Sequence, residues 1–417
     1  MNRLTGAGIL LPILLIAANA SNAQANSRLE TAEIVAVPDL PEPKYLGRVA
    51  DPAFGTPIVR VTDPGRVLSD KISCAPTHCR HRYSSTQAWN ADQSLLLIQN
   101  GCVGFCFLDG RTYKPAFQRR ASGECEWHPS NPAQMICVED QQIYAWSVRD
   151  DVKTTLYAPG DYKKLRFGPS KGNLSRDGGR LVVRALNGDG AGVAFAYDIA
   201  AGRKYPDISL SQLVGENSFC GISPSGLYTL CIQRMPDGAN PAYVFTIDGV
   251  LIQSWPENHR PGHGDMTLDR DGRDVYVGIS KADPDKYHVI KRRLDDGHVT
   301  SLAPFGRAQH VSARNIRQPG WVFVTFGGEY SQVAGQKRTT PFYQEIVAMR
   351  IDGSGEIRRV AQTRSSKHDY FSEAQASPSP DGSQVIWASN WGRAGGPVAA
   401  YVAQLEWQEG DTGVYNP

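Results

Sequence analysis

Three histidines and a tyrosine stand just before short apolar runs of the sequence. They are His81, Tyr83, His263 and His310. An imidazole gains or loses a proton near neutral pH, so these residues can act as acids, as bases or as hydrogen-bond partners of a polar ligand. A lone histidine at the end of a strand is also often a structural hydrogen-bonding residue. As a group, they indicate a binding site for a polar, hydroxyl-rich molecule.

Arginine, acidic and amide side chains take similar positions beside other apolar runs. Arg234 follows one such run and is a candidate for binding an anionic group, although pairing with a neighbouring acid is the alternative. Trp391 would offer a stacking face to a sugar ring. We predict that a wider set contacts the ligand: Gln87, Asn173, Arg184, Asp265, Arg314, Glu373, Gln375 and Trp391. Asp265 has a second interpretation, in which it caps a turn.

A weak internal repeat shows which elements position these residues. Its core is a turn with Gly, Pro, Asp or Asn, followed by a strand of alternating apolar character. Seven such turns precede strands predicted at 94–99, 134–138, 181–184, 227–233, 274–279, 321–326 and 383–388. Seven units of roughly 50 residues match the four-stranded blades of a β-propeller. A two-sheet sandwich is the alternative, but its strands would not need this repeat.

The seventh unit has no obvious fourth strand, whereas residues 57–62 form an early strand without a unit of its own. That strand can complete the last blade and hide two sheet edges. We therefore predict an all-β fold, a seven-bladed β-propeller closed by an N-terminal strand. In such a blade the first strand starts, and the second ends, at the same face. The candidate residues should therefore meet around one mouth of the central channel.

The N-terminus has the pattern of an export signal. An apolar run at 8–18 and the sequence Ala23-Gln24-Ala25 resemble the core and the cleavage site of a signal peptide. An uncleaved anchor is the alternative. We predict a signal peptide at 1–25, an N-terminal extension at 26–56 and a propeller domain at 57–417. The location would be periplasmic or secreted, with no membrane contact after signal cleavage.

Charge and cysteine content bear on partners and compartment. Lysine plus arginine total 44 against 42 acidic residues, with no basic block, which gives no support for a nucleic-acid partner. The eight cysteines favour disulfides in an oxidising compartment. Their spacing suggests local pairs: Cys74 with Cys79, Cys102 with Cys106, Cys125 with Cys137, and Cys220 with Cys231. A zinc site is the alternative, but the sequence has no Cys-x-x-Cys pair.

Several segments resemble secreted bacterial propeller proteins. They are 81–92, which contains His-Arg-Tyr-Ser and Gln-Ala-Trp-Asn-Ala-Asp, Gly262-His263-Gly264-Asp265, 310–315 and 377–391. These segments are similar to the propeller polysaccharide lyases, namely the ulvan lyases, the rhamnose–glucuronate lyases and, more remotely, oligogalacturonate lyase. The likeness covers most of the mature chain, and its turn motifs are shared by many propellers.

The resemblance implies β-elimination at a uronic acid, in which a cation masks the carboxylate and an acid–base pair completes the reaction. By this resemblance Arg234 neutralises the carboxylate and Tyr83 is the acid. The base and positioning work is shared by His81, His263 and His310. The partner would be a uronate-containing polysaccharide or oligosaccharide, and a monomer is expected.

Two regions depart from the family pattern. Phe219 stands where the catalytic tyrosine is expected at the start of the fourth blade. Gln375 and Ser377 stand where oligogalacturonate lyase carries metal-binding histidines. The metal is therefore unknown: no cofactor is certain, and a divalent metal is possible.

Two other functions stay open. One is a non-catalytic envelope propeller that binds a glycan or a protein, like the propeller of the Tol system. The other is a propeller glycoside hydrolase, which needs two carboxylates about 5–10 Å apart. Glu216, Asp265 and Glu373 could supply them. Convergence of the three histidines and Arg234 in one pocket would favour the enzyme over the binding protein.

Overall fold

The protein folds as a seven-bladed β-propeller, which confirms the predicted fold class and blade number. The structure is a computed structural model, and it describes residues 27–28, 33–70, 72–120, 123–167, 174–210, 219–235, 237–328 and 340–407. The predicted signal peptide at 1–25 lies outside these residues. Within them, no helix is long and apolar enough to cross a membrane. A short 3-10 turn spans Glu257–His259.

The blades are numbered along the chain, and each is an antiparallel sheet whose strands run from the central channel outward. In blade 1 they are Leu95–Ile98, Phe105–Asp109 and Pro115–Arg119, with an isolated Trp89–Leu96 bridge inside them. In blade 2 they are Glu124–Trp127, Gln134–Glu139, Gln142–Ser147 and Val152–Tyr157. In blade 3 they are Tyr162–Arg166, Arg180–Asn187 and Gly192–Asp198, followed by Arg203–Lys204 and Ile208–Ser209. In blade 4 they are Phe219–Ile222, Tyr228–Ile232, Ala242–Thr246 and Leu251–Trp255.

Blades 5 to 7 complete the ring. In blade 5 the strands are Gly262–Leu268, Asp274–Ile279, Val289–Arg293 and Val299–Ala303. In blade 6 they are Ala308–Ser312, Trp321–Phe326, Glu345–Arg350 and Glu356–Gln362, with Ser27–Arg28 as a fifth strand on the outer edge. In blade 7 they are Ser377–Pro378, Gln384–Ser389 and Val398–Gln404 from the C-terminal part, then Pro57–Arg60 and Arg48–Ala50 from the N-terminal part. His78–Cys79 pairs in parallel with Val398–Gln404.

The N-terminal part of the chain is built into blade 7. Pro57–Arg60 pairs antiparallel with Val398–Gln404, with Ile58 opposite Ala403. Arg48–Ala50, which belongs to the predicted extension, pairs with the other side of Pro57–Arg60. The fourth strand that the seventh repeat lacks is thus supplied by the early strand.

The polar turns of the repeat connect the first and second strands at the end of the channel opposite the mouth. In two of them, Gly226 and Gly382 have positive φ angles of 75° and 72°, which glycine adopts without strain. The hydroxyl groups of Ser223 and Ser379 accept hydrogen bonds from backbone N–H groups five residues later, at 3.1 and 3.0 Å. These serines stabilise turns, as the sequence pattern predicts.

The core lies between neighbouring blades, where alternate strand residues interdigitate. One cluster between blades 5 and 6 contains Val277, Val324 and Met349, and all three are fully buried. Burial of such side chains contributes about 1.5–3 kcal/mol each. Because every blade packs on two others, the strand ends at the mouth are held on a rigid ring.

The four predicted cysteine pairs are present as disulfides. Cys125–Cys137 and Cys220–Cys231 each join directly opposite residues of two antiparallel strands, with a Cα–Cα distance of 4.0 Å. The other two clip short loops. No free cysteine occurs in the described chain.

Candidate active site

A cleft of about 390 Å³ opens at the mouth where blades 5 and 6 meet the loop that precedes blade 7. Strand starts and loop ends meet there, as blade geometry predicts. The lining residues are Gly262, His263, Ile279, Ser280, Lys281, Lys286, Tyr287, Ala308, Gln309, His310, Lys367 and Glu373. His263, His310 and Glu373 thus converge in one cleft.

A β-bulge turns His263 into the cleft. The register between the first two strands of blade 5 shifts between Gly262 and Asp265, so that the first strand has one extra residue there. His263 lies in the bulge with φ +46°, a left-handed conformation that is rare for residues other than glycine. A Cβ at Gly264 would lie 2.2 Å from the carbonyl oxygen of Val277, so this position requires glycine. The Gly-His-Gly sequence therefore produces a bulge with an exposed imidazole.

Tyr83 connects His263 with His310. Its hydroxyl group lies 3.3 Å from Nδ1 of His263. The ring of His310 meets the ring of Tyr83 edge-on at 5.4 Å and that of His263 at 5.0 Å. Burial raises the pKa of Tyr83, so its phenol keeps its proton at neutral pH. Tyr83 thus lies behind the two histidines of the lining and contacts both.

Glu373 links His310 to a lysine. Its Oε2 atom lies 3.2 Å from Nε2 of His310, and its Oε1 atom lies 2.7 Å from Nζ of Lys367. Burial alone would raise the pKa of Glu373, but its contacts with His310 and Lys367 outweigh burial and hold the pKa well below the usual range. Glu373 is therefore a carboxylate at any working pH.

His81 lies beneath this group and does not reach the cleft. It is fully buried, and its Nε2 atom lies 2.7 Å from the backbone oxygen of Gln375. Burial, together with the charge of Arg80, holds the pKa of His81 well below its usual range. A neutral imidazole therefore donates its Nε2 proton to Gln375, which makes His81 a packing and positioning residue.

Arg80 and Gln375 support the same loop from below. The fully buried Arg80 guanidinium donates hydrogen bonds to the backbone oxygens of Phe371 and Glu373, at 2.5 and 2.7 Å. It donates another to Oε1 of Gln375, at 2.7 Å. Gln375 is itself fully buried, so it cannot touch a ligand as the sequence predicted. Tyr370, a half-exposed residue, belongs to the same loop.

Asp265, Arg314 and Gln87 lie in the channel wall. The carboxylate of Asp265 accepts two hydrogen bonds from the Arg314 guanidinium, both at 2.7 Å, and both side chains are buried. Gln87 donates to the backbone oxygen of Arg314 at 2.7 Å. These contacts join blades 5, 6 and 1, so the three residues stabilise the ring beneath the cleft.

Four other candidates lie outside the cleft lining. Arg234 is exposed after the second strand of blade 4, and Arg184 lies within the second strand of blade 3. Trp391 is buried, stacks near Tyr401 at 4.7 Å, and donates its indole N–H to the Leu40 backbone oxygen at 2.8 Å. It holds the N-terminal extension and offers no open face to a sugar. Asn173 lies outside the described residues, and the first strand of blade 3 begins earlier, at Tyr162.

The cleft also contains cations that the predicted site omits. Lys281 lies 2.7 Å from Glu257, and Lys286 approaches the ring of Tyr287 at 5.6 Å. Lys281 follows a second strand, the same sequence position as Arg234, but it was not included in the predicted site. Lys286 and Lys367 lie in irregular loops that carry no repeat signal.

Comparison with known proteins supports the fold. No protein-family model and no curated protein sequence matches the chain. An oligogalacturonate lyase from Vibrio parahaemolyticus superimposes with a TM-score of 0.56 at 12% identity, over 86% of this chain and 96% of that chain. An oligogalacturonate lyase in complex with manganese gives 0.57 at 15% identity, over 89% and 99%. At these identities the likeness is one of fold.

The residues of the cleft do not fit a divalent metal. The described residues contain no group of three His, Cys, Asp or Glu side chains that could hold a metal ion. Both oxygens of Glu373 are already engaged, Oε1 by Lys367 and Oε2 by His310 and Gln375. A hard cation such as Mn²⁺ or Ca²⁺ would need the Glu373 carboxylate as a ligand. The Lys367 ammonium already supplies the positive charge at this carboxylate.

Proposed function

We propose that the protein is an exported polysaccharide lyase that performs β-elimination at a uronic acid residue of an anionic glycan. The observation that carries the proposal is the composition of the cleft. An exposed histidine, His263, is backed by Tyr83 and His310 and faces a rim with Lys281, Lys286 and Lys367. Elimination needs a base, a proton donor and a cation for the carboxylate, and each is present.

In this proposal the three lysines neutralise the uronate carboxylate, which is the role that the resemblance gave to Arg234. A uronate carboxylate bound by ammonium groups draws electron density from C5 and makes the C5 proton acidic. His263 removes this proton through Nε2, while its Nδ1 hydrogen bonds to the oxygen of Tyr83. The C5–H electrons form the C4–C5 double bond and the C4–O bond breaks. The departing oxygen takes a proton from the half-exposed phenol of Tyr370, since Tyr83 is buried and does not line the cleft.

The carboxylates of the cleft favour a lyase over a hydrolase. A glycosidase needs one protonated and one ionised carboxyl group across the scissile bond. Glu373 is the carboxylate in the described lining, and its low pKa prevents it from serving as the acid. Asp265 is held by Arg314 in the channel wall. Glu216, the third candidate carboxylate, lies outside the described residues, and within the described part of the cleft no acid–carboxylate pair is present.

The test is incubation with ulvan, gum arabic, pectin and glucuronan, following the ultraviolet absorbance of the unsaturated uronate that elimination leaves. We expect rising absorbance with at least one glycan, and none with His263→Gln at equal concentration. Release of reducing sugar without absorbance would replace the lyase with a hydrolase. Absence of both signals, with glycan retained in a binding assay, would leave a non-catalytic binding protein.

Export is supported by the N-terminal sequence pattern and by four disulfides, which persist in oxidising compartments. Mass spectrometry of the protein recovered from the periplasm or medium should find Asn26 as the first residue. Recovery of the uncleaved chain in the cytoplasm would refute export without affecting the chemistry.

A further inference from the structure

Gln375 occupies a buried, strained position between the acid–base residues of the cleft. Its side chain is fully buried, and its backbone has φ +47°, a conformation that costs free energy for any residue other than glycine. It precedes the first strand of blade 7 and follows Glu373 by two residues. Strain of this kind persists only where the surrounding contacts hold the residue in place.

Arg80 determines which way the Gln375 amide points. A guanidinium has only donors, and Arg80 donates to Gln375 at 2.7 Å, so the atom that faces it must be the amide oxygen. The amide nitrogen then points away from Arg80. It donates a hydrogen bond to Oε2 of Glu373, at 3.2 Å.

The direction of these bonds continues to His310. The Glu373 carboxylate has only acceptors, and its Oε2 atom accepts from Gln375 and lies 3.2 Å from Nε2 of His310. His310 must therefore carry a proton on Nε2. In the neutral imidazole the lone pair then belongs to Nδ1.

We infer that Gln375 is a positioning residue that holds Oε2 of Glu373 against Nε2 of His310 and thereby keeps the proton of His310 on Nε2. The effect of Gln375 on turnover rests on the proposed lyase activity. The tautomer of His310 is independent of that activity. A methionine of similar size cannot donate a hydrogen bond to Glu373, and its sulfur is only a weak acceptor for Arg80.

The first test needs no variant and no substrate. Nitrogen-15 NMR of histidine-labelled protein reports which imidazole nitrogen carries the proton, and a His310→Gln sample assigns the signal. We expect His310 to be the Nε2–H tautomer at a pH where it is neutral. Observation of the Nδ1–H tautomer would overturn the inference, even if the protein proves to be an active lyase.

The second test compares Gln375→Met with a matched control, Gln362→Met. Gln362 is also fully buried, accepts a hydrogen bond from a buried guanidinium, that of Arg364, and donates to the Ala36 backbone oxygen at 2.9 Å. Both variants should lose similar stability because each leaves polar atoms without partners. Only Gln375→Met should mix the His310 tautomers and lower kcat, by about 10- to 100-fold, as for other partners that orient a functional histidine.

The two readouts separate this inference from the proposed function. An altered tautomer without any lyase activity in the native protein would leave the positioning role standing and remove the lyase. If Gln375→Met and Gln362→Met show the same His310 tautomer and the same kcat, Gln375 has no positioning role. If Gln375→Met does not fold, Gln375→Glu provides the comparison, because its carboxylate still accepts from Arg80 but cannot donate to Glu373.

Discussion

Burial divides the three histidines of the mouth between different roles. His81 is sealed beneath the loop and is neutral, since burial and Arg80 lower its pKa. His310 is nearly buried and bonded to Glu373, whereas His263 is exposed on its bulge. Only His263 can meet a substrate without rearrangement. From the sequence the three histidines could not be ranked, because they share one residue type. Their solvent exposure in the structure assigns them different roles.

Lys286 is the cleft lysine whose charge is least compensated by a carboxylate. Lys281 pairs with Glu257 and Lys367 with Glu373, whereas Lys286 contacts the ring of Tyr287. Lys286→Met should raise KM for an anionic glycan by about 5- to 10-fold, since one charge-assisted contact contributes roughly 1–1.5 kcal/mol at such a rim.

Initial rates at low and high salt provide the measurement. The loss should shrink at high salt, because screening already weakens the contact in the native protein. Lys204→Met, which removes a lysine on the outer part of blade 3, is the control. An equal effect of both variants would show that the charge acts at long range and not in the cleft.

Glu126 should make stability depend on pH. It lies on the first strand of blade 2, 3.8 Å from Arg82, and burial raises its pKa to about 7. Because the folded pKa exceeds the unfolded value, the folded state binds more protons between about pH 4.5 and 7, and stability falls as pH rises through that window.

Glu126→Gln should remove this penalty. The variant should match the native protein near pH 4 and exceed it near pH 8, by up to about 3 kcal/mol in the free energy of unfolding. Urea titrations at the two pH values measure the difference. If Glu126→Gln raises the free energy of unfolding equally at both pH values, the charge of Glu126 is not the cause of the gain.

At the scale of the element, the bulge of blade 5 presents the reactive histidine. Gly264 is required because the carbonyl oxygen of Val277 would meet its Cβ at 2.2 Å, whereas a Cβ at Gly262 would meet only the flexible end of Lys281, at 3.1 Å. Gly264→Ala should displace His263, lower kcat about 100-fold, and cost about 1–3 kcal/mol of stability.

Gly262→Ala is the matched control, and it should keep most of the activity. Thermal melts and steady-state kinetics of the two variants together provide the test. Activity that survives in Gly264→Ala would mean that the bulge does not set the position of His263.

The strands and turns follow from short-range physics, which is why the sequence predicted them closely. Predicted strands at 274–279 and 321–326 coincide with Asp274–Ile279 and Trp321–Phe326. The cysteine pairs were predicted from their short spacing, and two of the four pairs flank a repeat turn. His263 and His310 could be placed at the mouth because they stand at the starts of strands.

The rest of the site depends on contacts between distant parts of the chain. The burial of Gln375 results from Arg80, nearly three hundred residues earlier. Lys367 enters the cleft from an irregular loop with no periodic pattern. Trp391 is covered by Leu40 of the extension. Patterns within one repeat carry no information on such pairings.

At the scale of the whole molecule, the site joins distant parts of the ring. Tyr83 precedes blade 1, His263 and His310 begin blades 5 and 6, and Glu373 precedes blade 7. The chain is continuous between blades 5, 6 and 7, but blade 1 is brought beside blade 7 only when the ring closes. The hydrogen bond between Tyr83 and His263 therefore depends on closure.

We predict that Pro57–Arg60 closes the ring. It covers the edge of Val398–Gln404, and Ile58 is fully buried. Removal of 26–62 should expose that edge and cause aggregation or a large fall in Tm. Removal of 26–32 is the control, because the described residues that it takes away are Ser27–Arg28, at the outer edge of blade 6, where four strands remain.

The control should change Tm by only a few degrees, since few buried contacts are lost. If the long deletion yields no soluble protein, Ile58→Ala offers a graded measurement and should cost about 2–5 kcal/mol while the strand stays in place. Activity should fall with the long deletion even in molecules that remain folded, because Tyr83 would no longer be held against His263. If the variant that lacks 26–62 has the same Tm and the same activity as the variant that lacks 26–32, the ring closes without this strand.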